Sequence, residues 1–175
     1  MMMASSRRAG ALALLLVAAL PAGCSLRPLY SGGTQGAAAQ TLSSIEVPGI
    51  SGKAGWLVHA ALMRRLDPAG GNARYRLEVE LDDQIIGFGV RRDEAVTRER
   101  RTLRARYRLI DLASGAVVLD ATAGSDAGID VVSSEYATVA AENTALENLS
   151  TIIADQIIAR VARFGAAEGA AAKAP

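Results

Sequence analysis

The chain has one cysteine, Cys24, and one histidine, His59. A single cysteine excludes an internal disulfide and any Cys-x-x-Cys redox or metal site. A single histidine excludes the paired-histidine motifs of zinc hydrolases, and no GxSxG or P-loop spacing occurs. His59 lies beside the apolar stripe of a helix and reads as an ordinary helix histidine rather than a general base. Gly87-Phe88-Gly89 is a fragment of a GxGxxG pattern, but it falls between strands rather than before a helix and carries no nucleotide signal. The formal net charge is +1, which argues against a nucleic-acid binder with a wholly basic surface. Long apolar runs are missing too. The longest, residues 11–20 (ALALLLVAAL), falls short of the ~20 residues that span a bilayer. These absences predict a non-enzymatic chain without metal or cofactor.

What is present begins with that short run. Arg7 and Arg8 precede it and Pro21-Ala22-Gly23 follow it, the layout of a signal peptide. An unpaired thiol in an exported protein usually has a chemical use, and Cys24 stands directly after the small residues. The segment resembles a bacterial lipobox, Leu-Ala-Gly-Cys in its commonest form, with Leu20 one place early and Pro21 inserted. That resemblance implies cleavage before Cys24, diacylation of its thiol and acylation of the new amine. Two or more acyl chains anchor stably, at ~0.8 kcal/mol per buried methylene. Ser25 after the cysteine favours, by analogy, the outer membrane. The expected organisation is a signal peptide at 1–23, a lipidated N-terminus and flexible tether at 24–40, a domain at 41–164 and a disordered tail at 165–175.

Within the domain, residues 41–47 (TLSSIEV) read as a strand stopped by Pro48-Gly49. Ser51 is placed to cap a helix over 53–66, with Val58, Leu62 and Leu66 at i, i+4, i+8 and Met63 widening the stripe. From Arg74 a period of two sets in, Tyr75, Leu77, Val79 and Leu81 taking one face and Arg76, Glu78, Glu80 and Asp82 the other. It extends towards Val90, with Gly87 and Gly89 suggesting a bend or bulge. After a polar turn at 91–94, alternation returns with Leu103, Ala105, Tyr107 and Leu109 inward. Residues 116–123 form a fourth strand, 124–128 a loop, and 134–164 a long helix with Leu146, Leu149, Ile153, Ile157 and Phe164 buried. The order β-α-β-β-β-α predicts an α+β fold: a four-stranded sheet with two helices packed on one face.

Charge is concentrated in one place. Eight arginines lie between 91 and 108, against Asp93, Glu94 and Glu99. Alternate residues on a strand are ~6.6–6.8 Å apart, so Arg104, Arg106 and Arg108 form a row of forked donors suited to phosphate or carboxylate. The plainer reading is cross-strand neutralisation, since a hairpin through the 91–94 turn sets Glu78, Glu80 and Asp82 opposite the span 102–108. Both readings stand for that row. Nearer the turn, Arg91, Arg92, Arg98, Arg100 and Arg101 have fewer carboxylates, and Ile85, Ile86, Phe88 and Val90 lie beside them. That combination suits an amphiphile carrying phosphates and acyl chains; ordinary core or a subunit contact is the other reading of the apolar run.

Taken in order, Cys24 with Arg27-Pro28-Leu29-Tyr30, Tyr75-Arg76-Leu77, Thr97-Arg98, Tyr107-Arg108-Leu109-Ile110-Asp111 before Ser114-Gly115, and Ser134-Glu135-Tyr136-Ala137 with Ala141-Glu142 resemble the lipopolysaccharide-assembly lipoprotein family (LptE). Ser25-Leu26 replaces the family's usual Gly-Phe, and Trp56 and His59 stand where it tends to have polar residues. The resemblance implies a non-catalytic lipoprotein plugging a large outer-membrane β-barrel (LptD), supporting its assembly and contacting lipopolysaccharide. The family's basic position in the hairpin turn maps nearest to Arg91 and Arg92, with Arg98 beside them; a second, near the last helix, falls at Ser134-Glu135, where no base stands. Candidate contacts for lipopolysaccharide or barrel are therefore Arg91, Arg92, Arg98, Arg100, Arg101, Arg104 and Arg106. The runner-up is an accessory lipoprotein of an ABC-type lipid transporter, and a carboxylate-dependent hydrolase comes third.

Overall fold

The protein, seen as a computed structural model, is described over residues 35–66, 73–90 and 96–173. Its elements run α1 (Ala37–Ser43), β1 (Ile45–Glu46), α2 (Gly52–Met63), β2 (Tyr75–Val90), β3 (Val96–Asp111), β4 (Val117–Asp130) and α3 (Glu135–Ala171). The sheet order is β1-β2-β3-β4, with β1 parallel to β2 and the other pairs antiparallel. The α+β architecture is as expected, with one more helix.

The period-two pattern has the predicted consequence. Tyr75, Leu77, Leu103, Ala105, Tyr107 and Leu109 are buried under the helices, with Val79 and Leu81 partly so. They meet Val58 and Leu62 of α2, and Leu146, Leu149, Ile153 and Ile157 of α3. Each such aliphatic side chain contributes ~1.5–3 kcal/mol when fully buried. Among the described residues no helix covers the outer face of the sheet. Met63, read as part of the α2 stripe, is instead exposed, because α2 buries Gly55, Val58, Ala61 and Leu62 and Met63 lies off that line. Ser51 occupies the N-cap position of α2 without a side-chain capping bond.

Three boundaries differ from the sequence expectation, two of them for one reason. Residues 37–40, read as tether, and 41–43, read as strand, form α1, which buries Ala38, Thr41 and Leu42. The stretch from 165, read as a disordered tail, continues α3 to Ala171. The two segments hold each other. A Cβ on Gly165 would run into the Thr41 side chain, and one on Gly169 into Ala37. These glycines are close-approach positions between two helices, not flexible linkers. Tyr75 and Arg74 add hydrogen bonds of 2.8 Å each to Glu168. At 1.5 Å per residue, the 37 residues of α3 reach about 55 Å.

The third difference is in β4, which continues through 124–128 to Asp130 instead of looping. Ala123 and Ile129 are buried and Ala127 half-buried, so the alternation never stops. Gly124 is small because Arg104 lies across it, with the guanidinium 2.7 Å from where a Cβ would stand. At the hairpin end, Gly89 has φ +78, the bend its sequence suggested, and the Thr97 hydroxyl donates to its carbonyl at 2.8 Å.

Candidate functional site

The outer face of the sheet is ruled into stripes of alternating charge. The register places Glu78 opposite Arg108, Glu80 opposite Arg106 and Asp82 opposite Arg104, as the hairpin reading expected. On the far side of β3, β4 presents Asp120, Asp126 and Asp130, opposite Arg108, Thr102 and Arg98. Ending the strand at 123 hid Asp126 and Asp130 as partners, while Asp120, inside the expected strand, was not set against β3. Their even spacing from 120 to 130 was the available signal.

Most of the ladder is neutralised within the sheet. Arg108 reaches Glu78 at 3.2 Å and Glu80 at 3.5 Å. Arg106 does not use Glu80. Its guanidinium forks onto Asp120 with bonds of 3.2 and 2.8 Å. That hydrogen bond raises the Arg106 pKa and holds the Asp120 carboxyl below its ordinary range. Arg104 donates to the Ser125 carbonyl at 3.2 Å and lies 4.0 Å from Asp126. Arg98 pairs with Asp130 at 3.2 Å, with both side chains more than half exposed. Exposed pairs of this kind contribute little stability and yield readily to a better partner.

Two arginines stand apart. Arg101, grouped with the ladder from its composition, is turned to the inner face and only 9% exposed. Its parity is that of Leu103 and Ala105, so the pleat points it under the sheet. There it forks onto Asp83 with bonds of 2.8 and 2.6 Å and donates to the Glu142 carbonyl at 3.0 Å. Donation to the Asp83 carboxylate is the main cause of its raised pKa. Arg101 is therefore a structural tie between the hairpin and α3, not a surface contact. Beside it the Glu99 carboxyl is pushed up, first by burial and then by the charge and hydrogen bond of Glu142. Its Oε2 is buried without a hydrogen-bond partner among the described residues.

Arg100 is the other. It faces outward opposite Ile86 and Gly128, and no carboxylate among the described residues lies within 4.0 Å of it. Its guanidinium sits over the Phe88 ring, 5.3 Å from the centroid, a cation–π contact. Ile86, Phe88 and Arg100 line a hollow of about 300 Å³. Ile86 is 59% exposed and Phe88 39%, whereas Ile85 points to the opposite face. The structure thus gathers a base and apolar side chains at the hairpin end, with Arg98 in the same row. Arg91 and Arg92 lie outside the described residues, as do Cys24 and the signal segment. Among the described residues no group of three or more His, Cys, Asp or Glu is placed to hold a metal ion. His59 is within 3.2 Å of the Val47 carbonyl, a bond within the fold.

The family model for lipopolysaccharide-assembly proteins (LptE) matches residues 41–161. Among solved structures the chain is similar to a protein from Caulobacter crescentus described as a lipoprotein, with 27% identity and a TM-score of 0.62 over 74% of this chain and 96% of that one. It shares its fold with lipoprotein B from Nitrosomonas europaea (15% identity, TM-score 0.54, 70% of this chain and 83% of that one). The rare lipoprotein B from Shewanella oneidensis has the same fold (9%, 0.52, 75% and 98%). No curated protein matches the chain. The match spans α2, the full sheet and most of α3, including the hairpin strands that carry the arginines, and on it the chain belongs to the lipopolysaccharide-assembly (LptE) family.

Proposed function

We propose that this protein is a non-catalytic outer-membrane lipoprotein, anchored through Cys24, that plugs an LptD-type β-barrel, supports its assembly and contacts lipopolysaccharide at the hairpin end of its sheet. Family membership over residues 41–161 carries the reading. The surface agrees with it. The open sheet face is polar and alternates in sign, which suits the polar lumen of a large barrel. No helix among the described residues is long and apolar enough to cross a membrane. Arg100 with Ile86 and Phe88 offers a cation beside exposed apolar carbon, which together complement the phosphates and acyl chains of a phosphorylated lipid. Arg106 and Arg108 already hold carboxylates and are the poorer ligand sites.

The test is a pull-down of tagged, lipidated protein from detergent-solubilised envelope, with mass spectrometry of what stays bound. One large β-barrel at about equal stoichiometry is expected. Recovery of transporter components instead, or of nothing, refutes the plug. Replacing Cys24 by Ser should release the protein from the membrane fraction. For the lipid contact, Arg98→Glu with Arg100→Glu should weaken lipopolysaccharide binding by tenfold or more. Arg106→Glu should change it by less than threefold; equal losses would sink a site at the hairpin end.

A further inference from the structure

Sheet order makes β4 an outer strand, with β3 on one side and no described strand on the other. An edge strand offers a row of unpaired N–H and C=O groups, which proteins blunt with proline, charged side chains (lysine above all), a bulge or a covering segment. The β4 sequence, VVLDATAGSDAGID, contains neither proline nor lysine. Its one register irregularity faces Leu109/Ile110, at the first residues of the strand. From 120 onward its side chains are mostly small, so another backbone can approach closely.

Gly124 decides which atoms are free. It pairs across with Arg104, yet its N–H donates to Gln156 Oε1 at 3.1 Å and its carbonyl accepts from Gln156 Nε2 at 3.2 Å. Both groups point away from β3, which marks the non-hydrogen-bonded position of an antiparallel pair. The period of two then turns the N–H and C=O of Asp120, Thr122, Asp126, Gly128 and Asp130 outward as well. The odd phase faces β3, as the Val131 N–H shows by donating to the Thr97 carbonyl at 3.0 Å. Gln156, reaching over from α3, imitates a neighbouring strand for one residue. No other side chain among the described residues does so along this edge.

The charge stripes say what the edge accepts. Carboxylates on β2, arginines on β3 and carboxylates on β4 make the next sign in the series positive. Asp126 and Asp130 are more than half exposed, and side chains of an added strand would lie ~4.5–5.5 Å from theirs. A second copy of β4 would bring one acidic stripe against another. We propose that the β4 edge is a docking site for an extended segment of a partner protein with arginine or lysine at alternate positions, which adds as a fifth strand and displaces Gln156 from Gly124. The main-chain bonds supply affinity and the alternate basic side chains specificity.

The probe is a capped synthetic decapeptide alternating Arg and Thr, added to the full chain in detergent, with amide exchange followed residue by residue. Expected is at least tenfold slower exchange at Asp120, Thr122, Asp126, Gly128 and Asp130, with no change along β1. A peptide with Glu for Arg should give no protection, nor should one N-methylated at the residues that face the edge. Gln156→Ala should tighten peptide binding several-fold by removing the competitor, and Asp126→Lys with Asp130→Lys should weaken it at least tenfold. Binding without protection of these amides, or no binding, overturns the proposal. So does concentration-dependent protection in the absence of peptide, which would assign the edge to a second copy.

Discussion

Replacing Arg101 by Met tests whether the hairpin is held to α3 by a buried ion pair. The substitution removes two bonds to Asp83 and one to the Glu142 carbonyl while keeping an unbranched side chain of similar reach. Breaking a buried pair from one side costs about 3–5 kcal/mol, because the remaining charge stays desolvated and unpaired. Asp83 keeps 23% of its side-chain surface in water, so some of that charge is rehydrated and about 2–3 kcal/mol is expected. With a urea dependence of ~1–3 kcal/mol per molar, the unfolding midpoint falls by about 1 M. Asp83→Leu alone should cost a similar amount by leaving the arginine unpaired. Asp83→Leu with Arg101→Met should recover most of the loss, since a well-packed apolar pair often matches a buried ion pair. Urea unfolding of the four proteins at pH 7, followed by far-ultraviolet circular dichroism, completes the cycle. Single variants within ~0.5 kcal/mol of the parent, or a double variant as unstable as the sum of the singles, would refute the reasoning.

Other outcomes follow from the same geometry. Glu99 carries a raised carboxyl pKa, so between its unfolded and folded values the native state binds the extra proton and stability falls as pH rises. Its contribution is full below the unfolded value and is lost as pH passes the folded one. Asp111 and Asp120 are shifted the other way, but both are ionised in both states above about pH 5. Urea midpoints at pH 5 and pH 8 should therefore differ less in Glu99→Gln than in the parent, and the variant should be the more stable at pH 8; an unchanged difference would remove the carboxyl pair from the account. Gly165→Leu drives a side chain into Thr41 and should cost about 1–3 kcal/mol through overpacking, with faster amide exchange across α1 while β2 and β3 keep their protection. Phe88→Ser should leave the urea midpoint nearly unchanged, because the ring is partly exposed, yet weaken lipopolysaccharide binding if the hairpin end is the contact.

Much of this protein was legible residue by residue. A period of two placed Tyr75, Leu77, Leu103, Ala105, Tyr107 and Leu109 on one face and the carboxylate and arginine rows on the other, because pleated backbone leaves no other choice once one face must leave water. The hairpin register, and with it the pairing of Glu78 with Arg108, followed from the positions of the two alternating runs. The long amphipathic stretch ending near Phe164 was helical by its spacing alone. The same alternation, carried two residues back from Leu103, turns Arg101 inward.

The helix pair and the edge were decided elsewhere. Gly165 and Gly169 look locally like the start of a loose tail, and residues 37–40 like a linker. Each becomes ordered only because the other segment needs close approach, and that contact joins residues more than a hundred apart in the chain. Gly124 and Gly128 look like a loop for a similar reason. Nothing local says that Arg104 will lie over one of them, or that Gln156 will reach its amide from a helix that starts after the strand has ended. Local residue order dictates which side chains must leave water and in what period. Tertiary structure alone decided which small residues are contacts and which arginines are already neutralised, because both depend on distances between segments that only folding brings together.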